Sequence, residues 1–485
     1  MPMSSYLLAA LLVVLGTAAP IRATAEESEP PPDPVVPVVA VAPQDPEAII
    51  DTVAAMAPGL LAEYIRIDTT NPPGNETLAA RFLAGVLERE GIGSSIFEPE
   101  PGRGSIYARI RGKGDAGAIV LLSHTDVVPV DETHWKHPPM AGKTVDGVLY
   151  GRGALDAKSV GVVQFLAAVA LKRAGIELSR DIILLATADE ETGGRLGAGW
   201  MVEEHGELFE DASFVLNEGG FIVETEGAPL IYNVGAAEKG PCWFRVVATG
   251  PAGHGSAPAE GTAVVRLVEA LGKLVAWERP LEVNPVVAGY FAAYAAIDED
   301  HARQFRQLER SLEDERFGSW FMGQPAWAAL VRDTLVPTVL VGSRKTNIVP
   351  AEATAEVDSR LLPGHSCEDF MAEAATLVAG EGVRVEPQGT AFPSSQSPLD
   401  SSLVDAIERS AAAEDGPALV IPGMVAGFTD SHYFRDKGIE AYGFVPIIIS
   451  HQEKNSMHAP DERVRVAELE QGVRRMVKLL IDLGS

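Results

Sequence analysis

The sequence predicts an α/β fold, a mostly parallel sheet flanked by helices, with a smaller α+β domain inserted into it. Three observations predict it. Apolar runs such as "AIVLLS" and "DIILLATA" alternate with amphipathic helical stretches. A strand that is apolar along its whole length is buried on both faces, and helices must cover it. Near Lys239 the texture changes, and strand–helix pairs of a different kind begin. After about Gly389 the first texture returns, so the second domain interrupts the first.

The elements follow in order. Residues 1–25 read as a signal peptide, with an apolar core from Leu7 to Leu15 and Ala23-Thr24-Ala25 as an A-x-A cleavage site. That implies a secreted or periplasmic protein, and an uncleaved membrane anchor is the alternative. Residues 26–46 are rich in proline and acid and read as an extended linker. The first part of the main domain is placed at 47–238. It opens with helical spacing from Ile49 to Ile67, which "NPPGN" at Asn71 stops. Then come the strand "AIVLLS", the helix "SVGVVQFLAAVALKRAG", the strand "DIILLATA", the helix "LGAGWMVEEHG" and the strand "ASFVLNEGG". The inserted domain is placed at 239–388. Its strands are "CWFRVVATG" and "TAEVDSRLLPG", each followed by a helical segment. Residues 280–335, charged and aromatic, read as an insertion within it. The rest of the main domain, 389–485, ends in a helix from Glu468 to Leu483.

Bulk composition narrows the function. The chain has 485 residues, is 46% hydrophobic and 22% charged, and carries a formal net charge of -29. Such a charge argues against nucleic acid and anionic membranes as partners. It leaves anionic small substrates open, because local charge can oppose the global field. Two cysteines, Cys242 and Cys367, cannot staple so large a fold. Their spacing leaves a single disulfide undecided and excludes a CxxC zinc site.

In an open α/β sheet, ligands gather at the carboxyl ends of the strands. There the sequence places His124 and Asp126, then Asp189, Glu190 and Glu191, then Glu218. Asp156 precedes a helix, and His458 follows the last strand. Nitrogen and carboxylate donors with two histidines suit two zinc ions, whose charge three carboxylates and one bridging hydroxide would offset. One His124 nitrogen is expected on a metal, with Asp126, two positions on, bonding the other. Glu190 and Glu191, as neighbours on an extended chain, should point apart, so one binds metal while the other serves as a base. A histidine after a strand is more often structural than a ligand, and His432 and His451 are read that way.

The segments "LLSHTDVVPV", "LYGRGALDAKS", "ADEETGG", "NEGGF", "GPAGHGSAP", "TNIVP", "VDSRLLPG" and "MHAPDE" resemble peptidase family M20, a family of co-catalytic zinc hydrolases, across roughly residues 50 to 480. The segment after His134 and the "NEGGF" form look most like the carboxypeptidase S and secreted N-fatty-acyl-amino-acid hydrolase branches. The resemblance implies two Zn2+ per chain, with Co2+ or Mn2+ acceptable to the same donors. His124 and Glu218 would hold one ion, Glu191 and His458 the other, and Asp156 would bridge them. Asp126 would orient His124, and Glu190 would be the general base. The Asp156-Ala157 peptide would be cis. The inserted domain would be a lid and dimerisation domain that brings His254 to the scissile carbonyl, often from the partner subunit of a homodimer. Asn347 and Arg360 would grip the substrate's carboxylate, and Gly427 and Thr429 would line the substrate. The implied activity is cleavage of an amide next to a free carboxylate, in dipeptides or N-acyl amino acids. The competing reading is a non-catalytic metal- or peptide-binding protein on the same fold, against which the presence of Glu190 speaks.

Overall fold

The computed structural model describes residues 45–389, 391–414, 416 and 418–484. The signal peptide and nearly all of the linker lie outside the described residues. Helix Pro46–Ala54 starts on Asp45, whose carboxylate accepts the Glu47 N–H. The single helix read over this region is in fact two, because a second, Ala57–Ile65, follows. Pro58 explains the break: it has no N–H for the preceding turn, and it sits comfortably only in a helix's first turn.

The nine-stranded sheet is mixed. Its central strands Asp181–Thr187, Ala118–His124, Ala212–Glu224 and Glu440–Ser450 lie side by side and parallel. Antiparallel strands flank them, Ser105–Ile110 on one side and Ile231–Glu238 on the other. Both Ala118–His124 and Asp181–Thr187 are buried along their whole length, as their apolar texture requires. Helix Lys158–Arg173 packs against helix Val466–Leu483 and against the two N-terminal helices. It stops before Gly175, whose φ of 65° supplies the left-handed turn. Strand Ala212–Glu224 runs past the "NEGG" segment instead of ending there. Gly219 has φ 100°, and its pairing with Glu440–Ser450 slips in register at that point. A side chain on Gly220 would meet the carbonyls of Asn233 and Gly443 at 2.3 and 2.4 Å.

A second sheet is antiparallel, in the order Thr334–Val341, Glu352–Leu361, Phe244–Thr249, Val383–Pro387. Helices Ala263–Val275 and Cys367–Val378 pack against it and enclose a separate core around Phe244, Leu267, Val357 and Phe370. Cys242 and Cys367 form a disulfide within this body.

Residues 285–331 depart from the sequence reading. Val287, Phe291, Phe305, Phe321 and Val331 join the larger core, not the smaller one. Phe291 meets Phe305, Phe321 and Trp327 at ring separations of 5.2, 5.0 and 5.5 Å. Helix Pro285–Tyr294 lies against strand Leu419–Val425 of the main sheet. The chain therefore leaves the larger core at Lys239, returns for this segment, leaves again near Asp333 and returns after Pro387. The crossings are tied together. Lys239 Nζ donates to the carbonyls of Ala329 and Arg332 and to Thr334 Oγ1, and Asp333 pairs with Arg279 and His365.

Candidate active site

Strand Ala118–His124 ends with His124 buried, 2% exposed, at the carboxyl edge of the sheet. Its Nε2 lies 3.0 Å from Asp156 Oδ1 and 3.5 Å from Glu218 Oε1. The second oxygen of Asp156 lies 3.0 Å from His458 Nε2, which is 3.4 Å from Glu191 Oε2. Two groups of three potential ligands result, His124–Asp156–Glu218 and Asp156–Glu191–His458, and within each the ligand atoms fall within 4.8 Å of one another. Asp156 belongs to both and turns one oxygen to each. Residues distant in sequence meet here because each stands where a strand or its following turn reaches the same edge.

Backbone bonds hold the ligands in place. The Asp156-Ala157 peptide is cis. Glu462, fully buried, accepts the N–H groups of Gly153, Leu155 and Asp156 and pairs with Arg152. One carboxylate thus pins the whole turn that carries Asp156. His458 itself has φ 58°, left-handed and uncommon for a residue with a side chain.

Asp126 does more than expected of it. The nearest partner of His124 Nδ1 is the Asp126 carbonyl at 2.9 Å, while its carboxylate stands at 3.4 Å. That carboxylate accepts the backbone N–H groups of Glu190 and Glu191, each at 3.1 Å, and the side-chain amide of Asn71 at 2.8 Å. Burial pushes Asp126 up, but the bonds from His124 and Asn71 hold it below the usual carboxylate range. Asp126 therefore fixes His124 and the Glu190–Glu191 turn together.

Glu190 and Glu191 point apart, but not as neighbours on a strand. The strand ends at Thr187, Asp189 takes φ 72°, and Glu190–Thr192 form a 3-10 turn. Glu191 reaches His458, whereas Glu190 belongs to neither ligand group. Burial, reinforced by the Glu218 charge, holds Glu190 well above the usual carboxylate range.

The donor set fits divalent metal. Burial pushes Glu218 up to about 7 and also raises Glu191. Glu191 Oε1 is buried with no hydrogen-bond partner among the described residues. Bonds from Asp156 and Glu191 push His458 up to about 10. Crowded carboxylates that must borrow protons are what a cation would relieve.

The remaining candidates stand elsewhere. His254 is exposed on a two-residue ribbon paired with Ile348–Val349, and its Nδ1 meets Ser256 Oγ at 2.9 Å. Exposed Asn347 lies beside it, its carbonyl accepting the Gly255 N–H. Arg360, on strand Glu352–Leu361, is clasped by Asp358 at 2.8 and 3.2 Å. Its guanidinium also lies 5.7 Å from the Phe428 ring, between Gly427 and Thr429. Gly427 is half-buried with open space where a side chain would be. Thr429 is buried, and Glu238 accepts both its N–H and its hydroxyl, so its polar groups serve the loop. His432 is buried against Phe392 and Tyr433, and His451 Nε2 meets Thr225 Oγ1 at 3.0 Å.

Sequence reasoning passed over Asn71, Glu462 and Asp430. Asn71 was read only as part of a helix stop. Glu462 closes the quoted "MHAPDE" segment, and its place there was the available signal. Asp430, buried in the "GFTDSH" loop, accepts the Thr187 hydroxyl at 2.7 Å.

Residues 120–482 match the profile of peptidase family M20/M25/M40. Pig (Sus scrofa) aminoacylase-1 is 30% identical over 431 residues, covering 88% of this chain and 95% of the relative. The N-fatty-acyl-amino acid synthase/hydrolase of Xenopus tropicalis is 28% identical over 369 residues, covering 74% of this chain and 71% of the relative. Among solved structures, an M20 family metallo-carboxypeptidase from Sulfolobus solfataricus superposes with a TM-score of 0.69 at 21% identity, covering 87% of this chain and 97% of that one.

Proposed function

The chain belongs to peptidase family M20/M25/M40 and is a hydrolase, and from that premise we propose that it uses two zinc ions to cleave an amide next to a free carboxylate, in dipeptides or N-acyl amino acids. One observation carries the reading. Two three-ligand groups share Asp156, and a buried carboxyl that belongs to neither, Glu190, stands beside them. Each group offers one histidine and two carboxylates, donors that suit zinc and also accept cobalt or manganese. In this reading His124 and Glu218 hold one ion, Glu191 and His458 the other, and Asp156 both. The metals would supply Lewis-acid polarisation of the carbonyl and a lower pKa for water.

The chain's own residues do the rest. Glu190 takes a proton from the attacking water and returns it to the leaving nitrogen as the C–N bond breaks; its raised pKa suits that shuttle. Asp126 holds the turn that aims Glu190. His254 donates to the developing oxyanion. Asn347 and Arg360 bind the substrate carboxylate, the guanidinium fork giving a bidentate grip, while Gly427 and the Thr429 loop leave room beside it.

The smaller domain, 239–388 without the 285–331 segment that joins the larger core, acts as a lid, with the remainder forming the catalytic domain. A homodimer formed through the lid is supported by the surface of that domain. Thr334–Val341 is an edge strand with exposed Val336, Leu340 and Val341, and the neighbouring helix exposes Val265 and Val268. The disulfide supports an oxidising compartment, in keeping with secretion or a periplasmic location.

The test is metal content by mass spectrometry, with hydrolysis of a dipeptide and N-acyl-amino-acid panel before and after chelation. Near two zinc ions per chain and chelator-sensitive release of amino acid support the reading. No bound metal, with no activity after zinc or cobalt is restored, overturns it.

A further inference from the structure

A line of aromatic side chains runs from the Glu190 turn to Arg360. That turn ends at Gly193, with φ 108°, and a Cβ placed there would lie 2.8 Å from the Phe392 ring. Phe392 meets Phe428 at a ring separation of 5.3 Å. Phe428 lies 5.7 Å from the Arg360 guanidinium, which also stands 5.3 Å from the Trp243 ring. These rings are not core. Phe392 and Phe428 are half-buried, and Trp243 is 37% exposed. Part-exposed aromatics around one guanidinium form an amphipathic surface, apolar on its walls and charged at one point.

Arg360 is held, not loose. Asp358 accepts from its Nε and Nη2, and Trp243 Nε1 donates to the same carboxylate at 3.0 Å. Asp358 therefore fixes the plane of the fork and offsets part of its charge. An acidic side chain entering here would meet Asp358, and a basic one would meet Arg360. A large apolar one would cover the rings and displace water from them.

We propose that Trp243, Phe392 and Phe428 form the subsite for the side chain of the released amino acid, with Arg360 taking its carboxylate and Asp358 as a positioning residue for Arg360, so that preferred substrates release an aromatic or large aliphatic amino acid. The proposal rests on the amide-hydrolase reading and narrows its substrate class. Hydrophobic pockets discriminate by roughly tenfold or more per lost contact of this size.

The zinc-loaded protein is assayed on N-acetyl-Phe, -Leu, -Ala, -Glu and -Lys. Binding of free L-phenylalanine and L-alanine to metal-free protein is measured by calorimetry. The expected result is kcat/KM for Phe and Leu at least about tenfold above Ala, Glu and Lys, and tighter binding of phenylalanine than alanine. Phe428→Ala should shrink the Phe-to-Ala ratio about tenfold; Phe428→Leu, milder for folding, should shrink it less. Asp358→Asn should raise KM more than it lowers kcat. Equal rates across the panel, a preference for Ala, Glu or Lys, or a preference unchanged in both Phe428 variants would overturn the subsite while leaving the hydrolase reading intact. If no substrate is cleaved, the hydrolase reading fails instead, and product binding alone then decides the subsite.

Discussion

His124 and His254 are the two histidines that the sequence sets in the most suggestive surroundings, and the fold treats them in opposite ways. His124 is buried, with Asp126, Asp156 and Glu218 all within 3.5 Å of its ring. His254 is exposed on a short ribbon, and its ring bonds the hydroxyl of Ser256, two residues away. Asn347 shares that ribbon's surroundings. The difference separates two kinds of work. The groups proposed to hold ions and move protons are pre-organised at the sheet edge by backbone N–H bonds to Asp126 and Glu462. In the proposed reading, His254 and Asn347 recognise substrate from a second body and would have to be brought to the first, by movement or by a second copy of the chain.

The comparison can be broken at its buried end first. Glu190→Gln should lower kcat by about 10^3-fold, as loss of a general acid–base does, while metal content stays unchanged. A loss under tenfold would remove Glu190 from the proton path. At the exposed end, His254→Ala should cost on the order of 10^2-fold in kcat, the scale of one oxyanion donor. Mixing Glu190→Gln with His254→Ala sharpens the point. Recovered activity means that His254 acts from the partner; no recovery assigns it to its own chain.

Asp126→Asn should cost about 10- to 100-fold in metal affinity, the usual effect of a residue that orients a ligand, read by competition with a chelator. Affinity within about twofold of the parent would show that the Asp126 carbonyl alone suffices to orient His124. The smallest effect concerns pH. Without metal, Glu218 is raised from 4.5 to about 7 and His458 from 6.5 to about 10. Both therefore keep protons in the folded chain that the unfolded chain would release. Stability then falls as pH rises, through 4.5 to about 7 for Glu218 and through 6.5 to about 10 for His458. Metal displaces those protons, so the loaded protein should show a flatter slope in thermal unfolding. Equal slopes with and without metal would mean that the two ligand groups do not exchange protons for ions.

The ligand groups were legible because the chemistry sits where strands end, and apolar runs mark strand ends clearly. What escaped were the residues that steady the ligands from behind, Asn71 through the Asp126 carboxylate and Glu462 through main-chain N–H groups. Asn71 and Glu462 work through bonds whose partners are fixed by three-dimensional approach, and neither carries a periodic signal. Periodicity likewise could not say which core the 285–331 helices join, since an apolar face names no partner. The sequence places Thr429 beside substrate, and it cannot show that Glu238 accepts both its hydroxyl and its N–H. The "NEGG" glycines looked like a strand end because a sequence cannot show that Gly219 lets the strand bend and continue.

The repeated passage of the chain between the two cores has a mechanical meaning. A body hung on a single tether can tumble freely. One suspended by several segments that cross side by side, and are bound to one another through Lys239, Asp333 and Arg279, behaves like a door on aligned pins. If the smaller body closes as proposed, those ties would restrict it toward a swing about the crossing. Part of the entropy that such a closure would otherwise cost would then have been spent already, when the chain folded.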